Sequence, residues 1–279
     1  MIPALERLVA LDDDERIPPE CRTIVLRHEE RSREAVLLFH GLTAAPAQFR
    51  RYARALFERG CNVLVPRLPL HGYADRLTPA LADLTGDVLR TFSGRALDAA
   101  RELGERVTVA GFSAGGTLTL SLAQSERFAR AVAIAPFFGA AAVPRIAMDL
   151  AMALWLRLPN RFVWWDPIAR ERQGPAHGYP RYPTHALARL YELARSIARR
   201  AREPATADAV AVVLNCGEAA VSNAQLRALV ARWRDAGVRV ELIELRGMPP
   251  SHDIIEPERN RALSERVFPT ILNAIHPRS

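Results

Sequence analysis

A strand, a tight turn and a helix with one serine at the tip constrain this chain more than any other feature. The β-branched and apolar run at 107–110 leads into Gly-Phe-Ser-Ala-Gly at 111–115, and small and apolar residues suited to a helix follow. The two glycines let the chain pass through a strained turn whose neighbours approach closely. Such a turn lifts the Ser113 hydroxyl above the edge of a parallel sheet. The pattern therefore predicts an α/β fold with Ser113 as a nucleophile, rather than a glycine-rich turn with an incidental serine.

A nucleophilic serine needs a base, and the base needs an acid that orients it. In folds with this turn the acid and then the histidine follow the serine along the chain. Of seven histidines, only His252 and His276 lie beyond the middle region of the chain. His276 stands in a tail that we expect to be exposed, whereas His252 follows a strand-like run at 238–245 and a turn. We predict His252 as the base, beyond the carboxyl end of a strand, where α/β sheets place their sites.

The candidate acid is Glu218, which follows a valine-rich run typical of a buried parallel strand. Asp253 neighbours the histidine, but adjacent side chains on an extended loop tend to point apart. Asp208 precedes its strand and belongs to the opposite end of the sheet. Asp149 and Asp166, in the middle region, are weaker alternatives. A glutamate orients an imidazole as an aspartate does, with one more methylene of reach.

Attack of a serine on a carbonyl group also needs backbone N–H donors for the developing oxyanion. One is the N–H of Ala114, directly after the nucleophile, and the second is expected from the loop after an earlier strand. The sequence His-Gly-Leu-Thr at 40–43 supplies that loop, with Leu42 as the donor. We interpret His40 and His71, both in strand-end loops, as histidines that brace these loops without transferring protons.

Five short motifs together resemble a known family: 40–43, Pro-Leu-His-Gly at 69–72, 111–115, Glu-Ala-Ala-Val at 218–221 and Ser-His-Asp at 251–253. Their order is that of α/β-hydrolases, and they look most like the carboxylesterase and monoacylglycerol-lipase-like branch. The resemblance implies an α/β-hydrolase fold, a mostly parallel central sheet flanked by helices, with an inserted helical cap. It also implies hydrolysis through an acyl-enzyme without a metal or an organic cofactor. The chain departs from the family at Glu218, where most members have aspartate, and at Leu70, where glycine is commoner.

The alternation of strands and helices is interrupted between two core strands. We therefore predict a hydrolase core at 1–136 and 206–279 and a helical cap at 137–205. The cap contains a strongly apolar stretch at 146–156, which is too short to span a membrane. Its large side chains suit either an ordinary cap core or an apolar acyl pocket. Four are predicted to line that pocket: Leu150, Leu154, Trp155 and Trp164.

The charge balance is basic, with 38 Lys plus Arg, all of them arginine, and a net charge of +7. Because these arginines are interspersed with acids and alanines, we interpret them as solvated helix faces and expect no nucleic-acid binding. Three cysteines show no spacing for a metal site or a disulfide framework. The first thirty residues lack a secretion signal, so the expected location is the cytoplasm, without integral membrane association. The oligomeric state stays open.

Three functions are compatible with these features. The first is a serine hydrolase cleaving short- to medium-chain acyl esters or monoacylglycerol-like lipids. The second is amide, peptide or carbon–carbon bond hydrolysis on the same triad. The third is a non-catalytic protein of this fold that binds a ligand or a partner. A complete serine, histidine and acid set argues against the third.

Overall fold

The computed structural model describes residues 3–29 and 32–277. Within them a main sheet has seven strands, in chain order β1 (Ile24–Leu26), β2 (Ser32–Phe39), β3 (Asn62–Val65), β4 (Gly104–Phe112), β5 (Arg130–Ile134), β8 (Val210–Asn215) and β9 (Val240–Leu245). A separate antiparallel ribbon pairs β6 (Phe162–Trp164) with β7 (Arg181–Pro183). The helices of the same residues are α1 (Ala4–Val9), α2 (Arg50–Glu58), α3 (Gly86–Leu103), α4 (Ala114–Ser125), α5 (Arg145–Trp155), α6 (Thr184–Arg200), α7 (Asn223–Asp235) and α8 (Arg261–Ile275).

The main sheet has the order β1-β3-β2-β4-β5-β8-β9, and every pair except β1 with β3 is parallel. Parallel strands need crossover connections, and helices cover both faces of such a sheet. Consistent with this, every residue of β8 is buried. The apolar faces of α2 and α8 pack on one side of the sheet, and those of α3, α4, α6 and α7 pack on the other. The predicted mostly parallel sheet flanked by helices is confirmed.

The region between β5 and β8 holds α5, the ribbon of β6 and β7, and α6. It is therefore not purely helical. Helix α6 buries a full apolar face in the same core cluster as α4, so it also serves as a helix flanking the sheet. Helix α5 buries only Met148 and Met152. The boundaries of the cap at 137 and 205 stay a prediction.

The parallel strands bring their carboxyl ends to one edge of the sheet. The loops after β2, β4, β8 and β9 all start at this edge, and they carry Leu42, Ser113, Glu218 and His252 respectively. Side chains more than two hundred residues apart in sequence thus share one small region. No helix within residues 3–29 and 32–277 is both long enough and apolar enough to cross a membrane.

Candidate active site

Ser113 occupies a strained turn between β4 and α4, with φ 52° and ψ −112°. A residue with a side chain rarely adopts a positive φ, and here the surroundings require it. A Cβ on Gly115 would lie 2.0 Å from the carbonyl oxygen of Phe39, and one on Gly111 would lie 2.2 Å from that of Gly115. The Ser113 N–H donates to Ile134 O at 2.9 Å, which ties the turn to β5. The glycines therefore let two backbone segments meet, and the turn presents the Ser113 side chain.

His252 lies between the serine and an acid. Its Nε2 is 2.8 Å from Ser113 Oγ, and its Nδ1 is 2.8 Å from Glu218 Oε2. The loop that carries it is held by Asn215, whose Nδ2 donates to the carbonyl oxygens of Pro249 at 3.0 Å and Ser251 at 2.8 Å. The structure thus brings together the three residues that the sequence singled out for catalysis.

Glu218 has a side chain with no solvent exposure. Burial raises the pKa of this carboxyl, but the hydrogen bond and charge of His252 and two backbone N–H donors outweigh burial, so the pKa lies below its ordinary value. Those donors are Ala220 at 2.7 Å and Val221 at 3.3 Å, both to Oε1. The carboxylate is therefore ionised at neutral pH, with one oxygen on the backbone and the other on the imidazole.

The other candidate acids are engaged elsewhere. Asp149 accepts from Tyr191 Oη at 2.7 Å and pairs with Arg145 and Arg195. Asp166 accepts from two backbone N–H groups of its own turn. Asp208 precedes β8 at the opposite end of the sheet. The Asp253 carboxylate is held by Gln48 and Arg259.

The two backbone groups predicted as oxyanion donors belong to the residue directly after Ser113 and to the loop after β2. Ala114 is the first residue of α4, where a helix leaves N–H groups without an acceptor inside the helix. The Gly41 carbonyl accepts from Ala44 N at 3.1 Å and contacts His40 Nδ1 at 3.0 Å. Because a trans peptide is planar, fixing this carbonyl turns the Leu42 N–H to the opposite side. Leu42 and Ser113 line the same cavity.

His40 and His71 are fully buried beneath these loops. The Leu68 N–H donates to His40 Nε2 at 3.1 Å, so His40 Nδ1 carries the proton and donates to Gly41 O. Burial, aided by nearby His71, holds the pKa of His40 well below its usual range. Burial lowers the pKa of His71 to about 4. Both imidazoles are thus neutral hydrogen-bonding groups at neutral pH. Leu70, beside His71, has φ 67°, which explains why glycine would suit its position.

A cavity of about 640 Å³ opens above Ser113 and His252. Its walls are mostly apolar and come from the loop after β5, from α5 and from α6. The large apolar side chains lining it are those of Leu42, Phe112, Phe137, Met148, Met152, Trp155, Trp165, Leu187 and Leu190. Polar side chains also line the cavity, among them those of Gln48, Gln173, Asp253 and Arg259. The arrangement suits a substrate with an apolar chain and a reactive polar centre.

Of the four predicted pocket residues, only Trp155 lines this cavity. Leu150 and Leu154 are 69% and 53% exposed, because they lie on the opposite face of α5 from Met148, Met152 and Trp155. Trp164 lies 5.7 Å from the Arg181 guanidinium and does not line the cavity. Trp165, the residue directly after β6, lines the cavity instead.

Sequence reasoning missed Met148, Met152 and Trp165 at this cavity. The two methionines and Trp155 follow the i, i+4, i+7 spacing of one helix face. Because the opposite face, with Leu150 and Leu154, is apolar too, this spacing alone did not identify the face toward the cavity. The indole Nε1 of Trp165 donates to Thr43 Oγ1 at 2.9 Å, a contact across 122 residues that no local pattern reveals.

Comparisons with known proteins agree with this architecture. Residues 36–264 match the family model described as the alpha/beta hydrolase family. The chain is 31% identical over 166 residues to the thermostable monoacylglycerol lipase of Bacillus sp. (strain H-257), covering 59% of this chain and 62% of that lipase. The match thus spans less than two thirds of that lipase.

Solved structures share the fold at low sequence identity. A monoacylglycerol lipase from Paleococcus ferrophilus superposes with a TM-score of 0.66 at 17% identity, covering 90% of this chain and 98% of that one. A soluble variant of the monoglyceride lipase of Saccharomyces cerevisiae, in complex with a substrate analogue, superposes with a TM-score of 0.68 at 14% identity. The latter likeness covers 91% of each chain.

Proposed function

Because the chain belongs to the α/β-hydrolase family, we propose that it is a serine hydrolase of carboxylic esters. Ser113 is the nucleophile, His252 the general base and acid, and Glu218 the orienting carboxylate. One observation carries the proposal: the two contacts of 2.8 Å that join Ser113 Oγ, the imidazole and the Glu218 carboxylate in one line. This is the geometry that proton removal from a serine requires.

In the first half-reaction His252 Nε2 takes the proton of the Ser113 hydroxyl while Oγ attacks the ester carbonyl carbon. The carbonyl oxygen gains the negative charge and accepts hydrogen bonds from the N–H groups of Leu42 and Ala114. The imidazolium then gives its proton to the leaving oxygen as the carbon–oxygen bond breaks. An alcohol leaves, and an acyl group stays on Ser113.

In the second half-reaction water takes the place of the alcohol. His252 accepts a proton from this water, and the water oxygen attacks the acyl carbon. The second tetrahedral intermediate uses the same two donors. Its collapse returns the proton to Ser113 Oγ and releases a carboxylic acid. Ionised Glu218 stabilises the imidazolium in both halves and keeps the proton of neutral His252 on Nδ1.

The cavity supports esters with an apolar acyl chain as the substrate class. Most of its walls are methionine, leucine and aromatic side chains, which suit a long acyl group. The two charged residues of the lining, Asp253 and Arg259, pair with each other at 3.2 Å. The relatives named as monoacylglycerol lipases make such lipids a natural test case. We propose short- to medium-chain acyl esters, including monoacylglycerol-like lipids, as substrates.

A substrate panel tests this proposal. It contains p-nitrophenyl esters from acetyl to dodecanoyl, monoacylglycerols of the same chains, and the p-nitroanilides of the same acyl groups. We expect turnover of esters and acylglycerols that exceeds amide turnover for each chain. Faster amide turnover would favour an amidase, and failure to turn over any ester would contradict the proposal.

A further inference from the structure

The loop that carries one oxyanion donor and the loop that carries the base are joined by a single buried side chain, Gln48. It lies in a short 3-10 turn, Pro46–Phe49, that precedes α2, and it is only 4% exposed. Its Oε1 accepts the Gly41 N–H at 2.9 Å, and its Nε2 donates to Asp253 Oδ2 at 3.2 Å. We propose that Gln48 is a positioning residue that sets the distance between the oxyanion donor loop and the His252 loop.

On the donor side, Gln48 completes the restraint of Gly41. The carbonyl of Gly41 is already held by Ala44 and His40, so its N–H is the remaining backbone group that must find a partner. Gln48 Oε1 is that partner. With both peptide groups of Gly41 fixed, the direction of the Leu42 N–H is fixed as well.

On the base side, Gln48 reaches the residue directly after His252. The Asp253 carboxylate is tied by three donors: Gln48 Nε2, Arg259 Nε at 3.2 Å and the backbone N–H of Glu256 at 3.2 Å. Asp253 thus folds the stretch after His252 back on itself and anchors it to Gln48. A shift of Gln48 would move the imidazole relative to Leu42.

The side chain at position 48 must accept one hydrogen bond, from Gly41, and donate another, to Asp253, and an amide does both. Leucine has a similar size and makes neither bond. Glutamate still accepts from Gly41 but sets a second carboxylate against Asp253. Because two carboxylates at this distance repel when both are ionised, the restraint on the base side would be lost. Replacing Asp253 by asparagine in the same chain returns a donor and restores the net charge of the pair.

The inference rests on the proposed function, and it concerns kcat more than substrate affinity. Misplacing a catalytic group by a fraction of an ångström to one ångström costs up to about 10²-fold in rate. We therefore expect Gln48→Leu to lower kcat by about 10- to 100-fold, while KM changes by less than about threefold. We expect Gln48→Glu to lower kcat at least as much. Combining Gln48→Glu with Asp253→Asn should raise kcat at least about fivefold above that of Gln48→Glu alone.

The matched control is Gln124→Leu. Gln124 is also a buried glutamine that bridges two segments, since its Nε2 donates to Ile197 O at 3.0 Å, but it lies at the far end of α4. Its replacement lowers the unfolding midpoint without changing kcat. The experiment measures kcat and KM for p-nitrophenyl butyrate, with circular dichroism to establish the folded fraction of each variant.

Two outcomes overturn the proposal. In a parent that shows Ser113-dependent turnover, a folded Gln48→Leu enzyme with kcat within about twofold of the parent would overturn the role of Gln48 alone. The same holds if the double variant is no better than Gln48→Glu. A parent without Ser113-dependent turnover would instead remove the function on which the inference rests, and the inference with it.

Discussion

Ser113 shows how much of the proposed chemistry depends on one residue held in an unfavourable conformation. Its φ of 52° costs about 1–3 kcal/mol for a residue with a side chain. The cost is offset by contacts of its neighbours: the hydrogen bond to β5 and the close approach of Gly115 to β2. The benefit is a hydroxyl already placed 2.8 Å from His252 Nε2, so no reorganisation of the side chain is needed before attack.

We expect His252 and Glu218 to contribute unequally to kcat, and substituting each residue in turn measures its contribution. His252→Ala removes the group that moves the proton, and we expect kcat to fall by about 10⁴- to 10⁶-fold. Glu218→Gln keeps the size but removes the charge that stabilises the imidazolium, and we expect a loss of about 10²- to 10⁴-fold. Both are measured as kcat on p-nitrophenyl butyrate.

Asp149→Asn is the control for the acid, because Asp149 is held by arginines and Tyr191 and makes no contact with His252. It should keep the activity of the parent. If Glu218→Gln is as active as the parent while Asp149→Asn or Asp166→Asn is inactive, a different carboxylate orients the His252 imidazole and the assignment of Glu218 is wrong.

At the scale of elements, the junction of β4 and α4 depends on space for backbone and not on side-chain packing. A Cβ on Gly115 would overlap the Phe39 carbonyl oxygen, a backbone atom that cannot rotate away. We expect Gly115→Ala to lower the free energy of unfolding by at least about 3 kcal/mol. Gly94→Ala, in open space within α3, should instead raise it by about 0.5–1 kcal/mol.

Urea unfolding followed by circular dichroism measures both glycine variants. A Gly115→Ala protein as stable as Gly94→Ala would mean that the turn and β2 separate at little cost. The close contact between them would then not be what holds the serine in place.

Helix α5 has one face toward the cavity and one toward solvent, and acyl-chain preference should depend only on the first. Each buried methylene contributes roughly 0.8 kcal/mol, about fourfold in kcat/KM, until the cavity is full. We expect kcat/KM to rise from acetyl to medium-chain esters and then to level off. Met152→Trp fills the cavity and moves the plateau to shorter chains, whereas Leu150→Trp on the exposed face leaves it unchanged.

The measurement is kcat/KM for the series of p-nitrophenyl esters with the parent and both variants. Acetyl esters turned over better than every longer chain would mean that the cap plugs the site. The same shift in both tryptophan variants would mean that the cavity above Ser113 is not where the chain binds.

The elements differ in how far sequence could predict them. The β4 turn was predictable because its glycines, its apolar strand and its serine are neighbours in the chain. The pocket face of α5 was not, because the helix is apolar on both sides and its periodicity does not choose between Leu150 and Met152. The strands β6 and β7 are three residues each, too short for an alternating pattern. The contact of Gln48 with Asp253 joins residues 205 positions apart.

At the scale of the whole molecule, two buried neutral histidines make stability depend on pH. The unfolded chain takes up a proton on His71 near its ordinary value of 6.5, whereas the folded protein does so only at about 4. The unfolded state therefore binds more protons in this interval, and stability falls as pH falls from about 6.5 to about 4. The lowered pKa of His40 acts in the same direction.

Between pH 7 and pH 5 we expect His71 alone to remove about 2 kcal/mol from the free energy of unfolding. Urea unfolding at the two pH values measures this loss. His71→Asn should reduce this loss of stability by that amount. If the free energy of unfolding depends on pH equally in the parent and in His71→Asn, then His71 binds a proton as readily in the folded protein as in the unfolded chain.

The order of the strands explains why the site exists only in the folded chain. Its parts follow the parallel strands β2, β4, β8 and β9, and in the sheet only β5 lies between them, separating β4 from β8. The sequence order of serine, acid and histidine was predictable from the motifs, and so was the sheet edge at which they meet. We propose that this edge makes Ser113 a nucleophile that forms an acyl-enzyme.

Labelling with a fluorophosphonate tests that claim most directly. Intact-mass analysis of the parent should show one adduct, and peptide mapping should place it on Ser113. Ser113→Ala should take up no probe and should lose ester turnover by about 10⁴-fold or more, while its circular dichroism spectrum matches that of the parent. A folded Ser113→Ala protein that keeps most of its ester turnover, or an adduct on another residue of the parent, would contradict the account.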